Sequence, residues 1–307
     1  MKDIVVIGAG QAGASLCAKL RQMGYGEKLS LFGEEVFPPY QRPPLSKKYL
    51  LGEIDVERLY IRPKKFYSEQ DIDLNLNSPI SKIDIKKKVI YSKGNTTSFD
   101  QLIFTTGSTP RKLPESLSQN LKNIFYVRSI LDVNYMAPNL VEGKKVLIIG
   151  GGYIGLEAAS VCRKLGVNVK IIEMDKRILN RVSSSETANY FRELHQNNGV
   201  EILERVTLDA LIGETHVEKA ILSDGTQMNI DLVIAGIGVL PNDNLASEAG
   251  LDIENGIKTN SLGQTSNESI WAAGDCSSFP WRGKRIRLES VQNAIDHSEI
   301  VAENILG

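Results

Sequence analysis

One pattern occurs twice in this chain. Residues 4–13 read IVVIGAGQAG and residues 146–155 read VLIIGGGYIG, each an apolar, β-branched run entering G-x-G-x-x-G. The run reads as a buried strand, and the glycines behind it turn the chain sharply into a helix. After the first copy Leu16, Cys17, Leu20 and Met23 share a helical face, and KLSLFGEE supplies a second strand with Glu34 at its end. After the second copy Ile154, Ala158, Val161 and Leu165 share a face, and VNVKIIE brings Glu173 to a strand end. Gly8, Gly10 and Gly13, and again Gly150, Gly152 and Gly155, let backbone approach a pyrophosphate at a helix N-terminus, while the acid accepts from ribose hydroxyls. Either copy alone can also be read as a βαβ unit whose glycines merely make a tight turn; two complete copies point to two dinucleotides.

The second acid also bears on which nucleotide binds. Glu173 repels a 2′-phosphate, so NADH is expected over NADPH, with Lys176 and Arg177 close behind keeping that preference moderate. Three further segments, LIFTTGSTP (102–110), LVIAGIGVLPN (232–242) and IWAAGDC (270–276), are apolar strands ending in glycine and polar residues. Each suits a sheet edge beside a ligand, or an ordinary turn. Their order predicts an α/β fold of two Rossmann-like domains, the second inserted in the first: residues 1–108 with 236–307, and residues 109–235 between them.

Composition narrows the class. The 307 residues suit about two domains, and 36 basic against 37 acidic residues leave a net charge of −1, without the excess that nucleic acid demands. Cys17, Cys162 and Cys276 stand far apart, so neither a disulfide framework nor a metal site is read, and a reducing cytoplasm fits. Apolar runs such as 146–149 and 232–240 fall short of the ~20 residues of a membrane span. No cleavable leader is read before the first strand. His195, His216 and His297 lie outside any motif and are read as structural.

FPPYQRPPLSKKYL (37–50) is a different kind of signal. Proline fixes φ and pushes its predecessor toward extended backbone, so this stretch reads as a stiff, polar surface path lining a ligand. On residues alone, Lys47 and Glu157 are an exposed lysine and a solvated helix glutamate.

Taken in order, GAGQAG, PPYQRPPLSK, TTGSTPR, GGGYIGLE, GIGVLPN, AAGDC and RLESVQNAIDHSEIVAENI resemble the FAD-dependent, NADH-using ferredoxin and rubredoxin reductases of bacterial oxygenase systems. Apoptosis-inducing factor is a relative of these, and the fold implied is of glutathione-reductase type. The resemblance implies FAD at the first site, held by Gly8, Gly10, Ala12, Gly13 and Glu34, with Thr106, Gly107, Gly274 and Asp275 beside it. It adds Ile80 on the adenine, Arg128 from the crossing between domains, and Val291 at the start of the last helix. By the same resemblance Arg42 reaches the pyrophosphate and Lys47 the isoalloxazine, with Glu157 paired to Lys47 as the catalytic pair. NADH would take Gly150, Gly152, Tyr153, Ile154, Gly155, Glu157 and Glu173, with Gly236, Ile237 and Gly238.

The implied function is transfer of hydride from NADH to FAD and of single electrons onward to an iron–sulfur carrier, a ferredoxin or rubredoxin serving an oxygenase or P450 system. With no cysteine pair there is no thiol relay. An NADH oxidase, a quinone or small-acceptor reductase, and an NADH-sensing binding protein like apoptosis-inducing factor are the alternatives. WRGKRIR (281–287) places Arg282, Lys284, Arg285 and Arg287 just before the flavin-facing LES, as a docking rim for an acidic carrier or as a solvated hairpin tip. Family members continue into a further C-terminal interface domain, which is expected to be absent here.

Overall fold

The structure, a computed structural model, describes residues 3–307. It divides into one unit of residues to Gln41, Leu59–Thr109 and Leu240–Gly307, and another of Arg42–Arg58 and Pro110–Val239. Residues 42–58, which begin within the proline-rich stretch, group with the second unit. Side-chain bonds explain this: Arg42 Nη1 donates to the Arg128 carbonyl (2.6 Å), Ser46 Oγ to Glu157 Oε2 (2.6 Å) and Tyr49 OH to Asn134 Oδ1 (2.9 Å).

The first unit is built on a parallel sheet in the order Ile270–Ala272, Gln101–Phe104, Ile4–Ile7, Leu29–Phe32, Ile72–Asn75. All four residues of Ile4–Ile7, Leu29–Phe32 and Gln101–Phe104 are buried, as strands covered on both faces must be. One face packs Leu16, Cys17 and Leu20 of helix Gln11–Gln22 and Val301 and Ala302 of helix Val291–Leu306. The other carries Ile83 and Ile90 of an antiparallel sheet, Ile80–Asp84, Val89–Ser92 and Asn95–Ser98. Met23, expected on the apolar face, is exposed at the helix end.

Register aligns the strand ends. Ile7 stands opposite Phe32 and Phe104, and Phe104 opposite Ala272, so Gly8, Gly33, Thr105 and Ala273 leave the sheet along one carboxyl edge. The chain runs from Ile4–Ile7 to one side of the sheet and later returns on the other, which makes the first glycine loop a topological switch point.

The second unit repeats the plan with the order Val200–Glu204, Asn168–Glu173, Lys145–Ile149, Leu232–Ala235, Ile124–Phe125, all parallel. Ile149 stands opposite Ile172 and Ala235, so Gly150, Glu173 and Gly236 share the corresponding edge. Helix Tyr153–Lys164 buries Leu156, Ala158, Val161 and Cys162, while Ile154 is exposed rather than on the buried face. An antiparallel sheet of Leu208–Ile212, Lys219–Leu222 and Gln227–Asn229 closes the core through Leu211, Ala220 and Leu222.

His297 on the last helix packs edge-on to Phe279 with ring centroids 4.9 Å apart, and its Nδ1 lies 3.3 Å from Ser277 Oγ. Burial disfavours the imidazolium and pushes its pKa from 6.5 down to about 4. Between those values the unfolded chain binds a proton that the native chain refuses. Stability is therefore complete above pH 6.5 and falls as pH drops toward 4, by up to about 3 kcal/mol from this group. His297→Gln is expected to flatten that acid limb, read as the urea midpoint from neutral pH to about pH 5.

Candidate functional site

In each unit the three loop glycines have different surroundings. A Cβ on Gly8 would lie 2.2 Å from the Thr105 carbonyl oxygen, and one on Gly13 2.2 Å from the Gly8 oxygen. In the second loop a Cβ on Gly150 would lie 2.4 Å from Gly236 O, and one on Gly155 2.1 Å from Gly150 O. These outer glycines let strand, turn and helix backbones touch. The middle ones, Gly10 and Gly152, would meet nothing within 4 Å.

Gly10 and Gly152 are also the N-cap residues of helices Gln11–Gln22 and Tyr153–Lys164, and neither helix start is capped by a side chain. Free backbone N–H groups, the positive end of a helix and space that a methyl group would fill coincide at one residue in each unit. That arrangement fits a dinucleotide pyrophosphate.

Around the first cradle the structure brings together Ala12, Thr106, Gly107, Gly274 and Asp275. Ser108 Oγ donates to Asp275 Oδ2 (2.9 Å), Thr106 Oγ1 to the Asn242 carbonyl (2.6 Å), and the Asn242 amide N–H to Gly107 O (2.9 Å). A Cβ on Gly274, whose φ is 78°, would lie 3.1 Å from the Ala12 Cβ and 3.8 Å from the Ala294 Cβ. Glu34 is exposed two residues beyond the end of its strand, whereas its neighbour Glu35 is occupied by the Tyr40 hydroxyl at 2.6 Å. Val291 is the exposed first residue of the last helix, where Ser290 Oγ accepts from Asn293 N. Ile80 opens the antiparallel sheet and packs partly buried on the core.

The two acids are not equivalent by position. Glu173 ends its strand, and the register that places Phe32 opposite Ile7 and Ile172 opposite Ile149 makes Gly33 the counterpart of Glu173. Glu173 turns back on its own loop, Oε2 accepting from Gly151 N (2.7 Å) and Oε1 from Asp175 N (2.8 Å). Tyr153 and Ile154 stand exposed in the first helical turn, and Ile237 packs against the core between Gly236 and Gly238. Arg111 N donates to Gly238 O at 2.9 Å.

The proline-rich segment departs from its expected form. Tyr40, Leu45 and Leu50 are buried, and Pro43–Ser46 form a 3₁₀ turn. Arg42 keeps right-handed helical backbone (φ −80°, ψ −31°) although proline follows it, the turn overriding the usual steric bias. The turn aims Lys47 Nζ at Glu157 Oε2 (2.7 Å) and at the Pro43 carbonyl (3.1 Å), with Ser46 Oγ on the same carboxylate oxygen. Thus Lys47 and Glu157, far apart in sequence, meet in an ion pair on the second unit, and Arg42 meets Arg128 there.

The basic hairpin is less available than its composition suggests. Arg285 Nη1 donates to the carbonyls of Thr259 and Ser278 and its Nε lies 3.4 Å from Glu254, while Arg287 pairs with Glu289 at 2.6 Å. Arg282, stacked over exposed Trp281 at 4.5 Å, and Lys284 remain at the exposed tip.

Sequence reasoning missed Thr105, Ser46, Ser108 and Asn242. Thr105 is buried and its hydroxyl donates to the Gly8 carbonyl (2.8 Å), with the Ile7 carbonyl also within reach at 3.1 Å, bracing the first turn. All four lie inside segments already singled out, but only the fold shows which hydroxyl or amide turns toward which partner.

The pattern of the pyridine nucleotide-disulphide oxidoreductase family matches residues 2–298. The chain is 39% identical over 308 residues to a rubredoxin-NAD(+) reductase of Ectopseudomonas oleovorans, covering 99% of this chain and 80% of that protein. It is 38% identical over 314 residues to a ferredoxin–NAD(P)(+) reductase of a Sphingomonas species, covering 99% and 75%. The solved covalent complex of putidaredoxin reductase with putidaredoxin contains a similar chain, with a TM-score of 0.95 and 33% identity over 99% of this chain and 75% of that one.

Proposed function

The chain belongs to the pyridine nucleotide-disulphide oxidoreductase family, and from that premise we propose that it is an FAD-dependent NADH reductase of a ferredoxin or rubredoxin, serving an oxygenase or P450 system. The observation that carries this is the repeated cradle, an uncapped helix start behind an open middle glycine in both units. In the first unit Gly8, Gly10, Gly13, Glu34, Thr106, Gly107, Gly274 and Asp275 would hold FAD. In the second Gly150, Gly152, Gly155, Glu173, Gly236 and Gly238 would hold NADH. Bound there, FAD would supply the capacity to accept two electrons as hydride from NADH and to release them singly to a carrier. Lys47 is proposed to favour negative charge arriving during reduction, with Glu157 directing it through their ion pair.

The cysteines support outward delivery of electrons. All three are free and buried, and burial pushes the Cys17 and Cys162 thiols up to about 12 and raises Cys276. The thiolate is the reactive form, so a thiol relay is disfavoured. Free cysteines also support a cytoplasmic setting. No helix among the described residues is long and apolar enough to cross a membrane.

The test is anaerobic. NADH is expected to bleach the yellow protein, and a ferredoxin or rubredoxin to restore the colour; recovery with oxygen or quinone alone would favour the oxidase reading. Reversing the two exposed hairpin charges, Arg282→Glu with Lys284→Glu, is expected to slow reoxidation by an acidic carrier about tenfold at low salt. Reduction by NADH should not change, and the difference should vanish as salt rises.

A further inference from the structure

Arg177 sits just beyond Glu173, where the sequence offers it to a nucleotide phosphate. The geometry points elsewhere, and we propose that Arg177 is a positioning residue that fixes the second glycine loop from behind and takes no part in reading the adenosine 2′ position. This deepens the assignment of NADH to the second unit and rests on it.

The guanidinium is spent on one loop. Nη1 donates to the carbonyls of Ile178 and Leu179, each at 3.3 Å, and Nη2 to those of Asn180 (3.5 Å) and Ser183 (2.8 Å). A planar fork meeting four carbonyls makes a charge-assisted staple that a lysine cannot reproduce. The staple has something to hold. Leu179 is buried with φ of 52°, a left-handed conformation that a bulky residue adopts only when its surroundings impose it.

That constrained residue is the one touching the glycine loop. Leu179 N donates to Gly151 O at 3.0 Å, while Glu173 Oε2 accepts from Gly151 N at 2.7 Å. Ile178 Cγ2 occupies the remaining side, 2.6 Å from where a Cβ on Gly151 would lie. The Ile178 N–H is anchored in turn on Glu204 Oε1 (2.8 Å), which Arg192 grips through Nε (3.0 Å) and Nη2 (2.7 Å). Both backbone polar groups of Gly151 are therefore held, and Gly151 is the residue directly before the open cradle at Gly152. A binding loop tolerates only about 0.5 Å of play before its geometry is lost.

The first unit braces its loop differently. The residue matching Gly151 is Ala9, and a Cβ on Gly33 would lie 2.6 Å from the Ala9 Cβ, so close packing does there what Arg177 does in the second unit. With Arg177 committed, exposed Lys176 alone of the two cations just behind Glu173 is left to soften it, and the preference for NADH is set more firmly than the residue order suggested.

Calorimetric titration of NAD+ and of NADP+ into the flavin-loaded protein tests this, for wild type, Arg177→Met, Arg177→Lys and Arg192→Met, with amide hydrogen exchange at Gly151 and Leu179. Arg177→Met is expected to weaken both nucleotides by the same factor, about tenfold, and to speed exchange at both amides. Arg177→Lys should recover only part of the loss. Arg192→Met should give the same pattern at smaller amplitude, and it carries the test if Arg177→Met does not fold. Unchanged NAD+ affinity, or loss of NADP+ alone, overturns the proposal. If wild type binds neither nucleotide, the NADH assignment of the second unit fails first and the role of Arg177 falls with it.

Discussion

Gly152→Ala is expected to give a folded, yellow protein that NADH reduces about a hundredfold less efficiently, with most of the loss in KM. The reason is that nothing in the chain lies within 4 Å of the added methyl group, so folding is indifferent to it. The backbone angles at Gly152 (φ −81°, ψ −177°) are open to alanine as well. What the methyl group does occupy is the space in front of an uncapped helix start, which a pyrophosphate needs. Gly10→Ala in the first unit is the matched experiment, since Gly10 is equally open; it should yield folded protein largely stripped of flavin. Anaerobic reduction rates against NADH concentration, with flavin content and a melting curve for each variant, separate the two cradles. A Gly152→Ala protein that keeps wild-type KM would remove the glycine loop from nucleotide binding.

The opposite result is expected one turn earlier. Gly8→Ala should destabilise the first unit by on the order of 4 kcal/mol, from two effects that both act on backbone. Gly8 has φ of 117°, outside the range an L side chain accepts, and its Cβ would stand 2.2 Å from the Thr105 carbonyl oxygen and 2.8 Å from Thr106 N. Neither neighbour can swing aside, because Thr105 N donates to Ile7 O and its hydroxyl to Gly8 O. Gly24→Ala is the control: its φ of 83° is also left-handed, but nothing lies within 4 Å, so only about 1 kcal/mol is at stake. Urea unfolding read by flavin release and by circular dichroism gives both values. A Gly8→Ala protein as stable as the Gly24→Ala one would show that the close approach of strand and loop is not needed.

The duplicated strand–glycine–helix unit was legible because its causes are local. Four or five β-branched and apolar residues in a row cannot sit at a surface, and three glycines at fixed spacing allow the turn that follows, so two Rossmann-like units can be read from Ile4 and Val146 onward. The burial of Cys17 and Cys162 follows from the same helical periodicity. Boundaries were less legible. Residues 42–58 read as part of the first domain by order along the chain, yet Ser46, Lys47 and Tyr49 bond to Glu157 and Asn134 of the second unit. Proline restricts one backbone angle, but it does not say which helix a segment will lie against.

Charge was the poorest guide. Arg177, Arg285 and Arg287 look the same in sequence as Arg282 and Lys284, and only folding separates those bonded to nearby carbonyls and carboxylates from those left at a surface. The offset between Glu34 and Glu173 was hidden for a related reason: the sheet register, set by neighbouring strands, makes Gly33 and not Glu34 the counterpart of Glu173. The sequence alone determined where the backbone lies open in front of a helix start, because glycine spacing and strand burial act within about ten residues. Only the tertiary structure decided which charged groups stand beside those loops and which are bonded elsewhere, because a long side chain takes its partner from whatever the fold brings within about 3 Å.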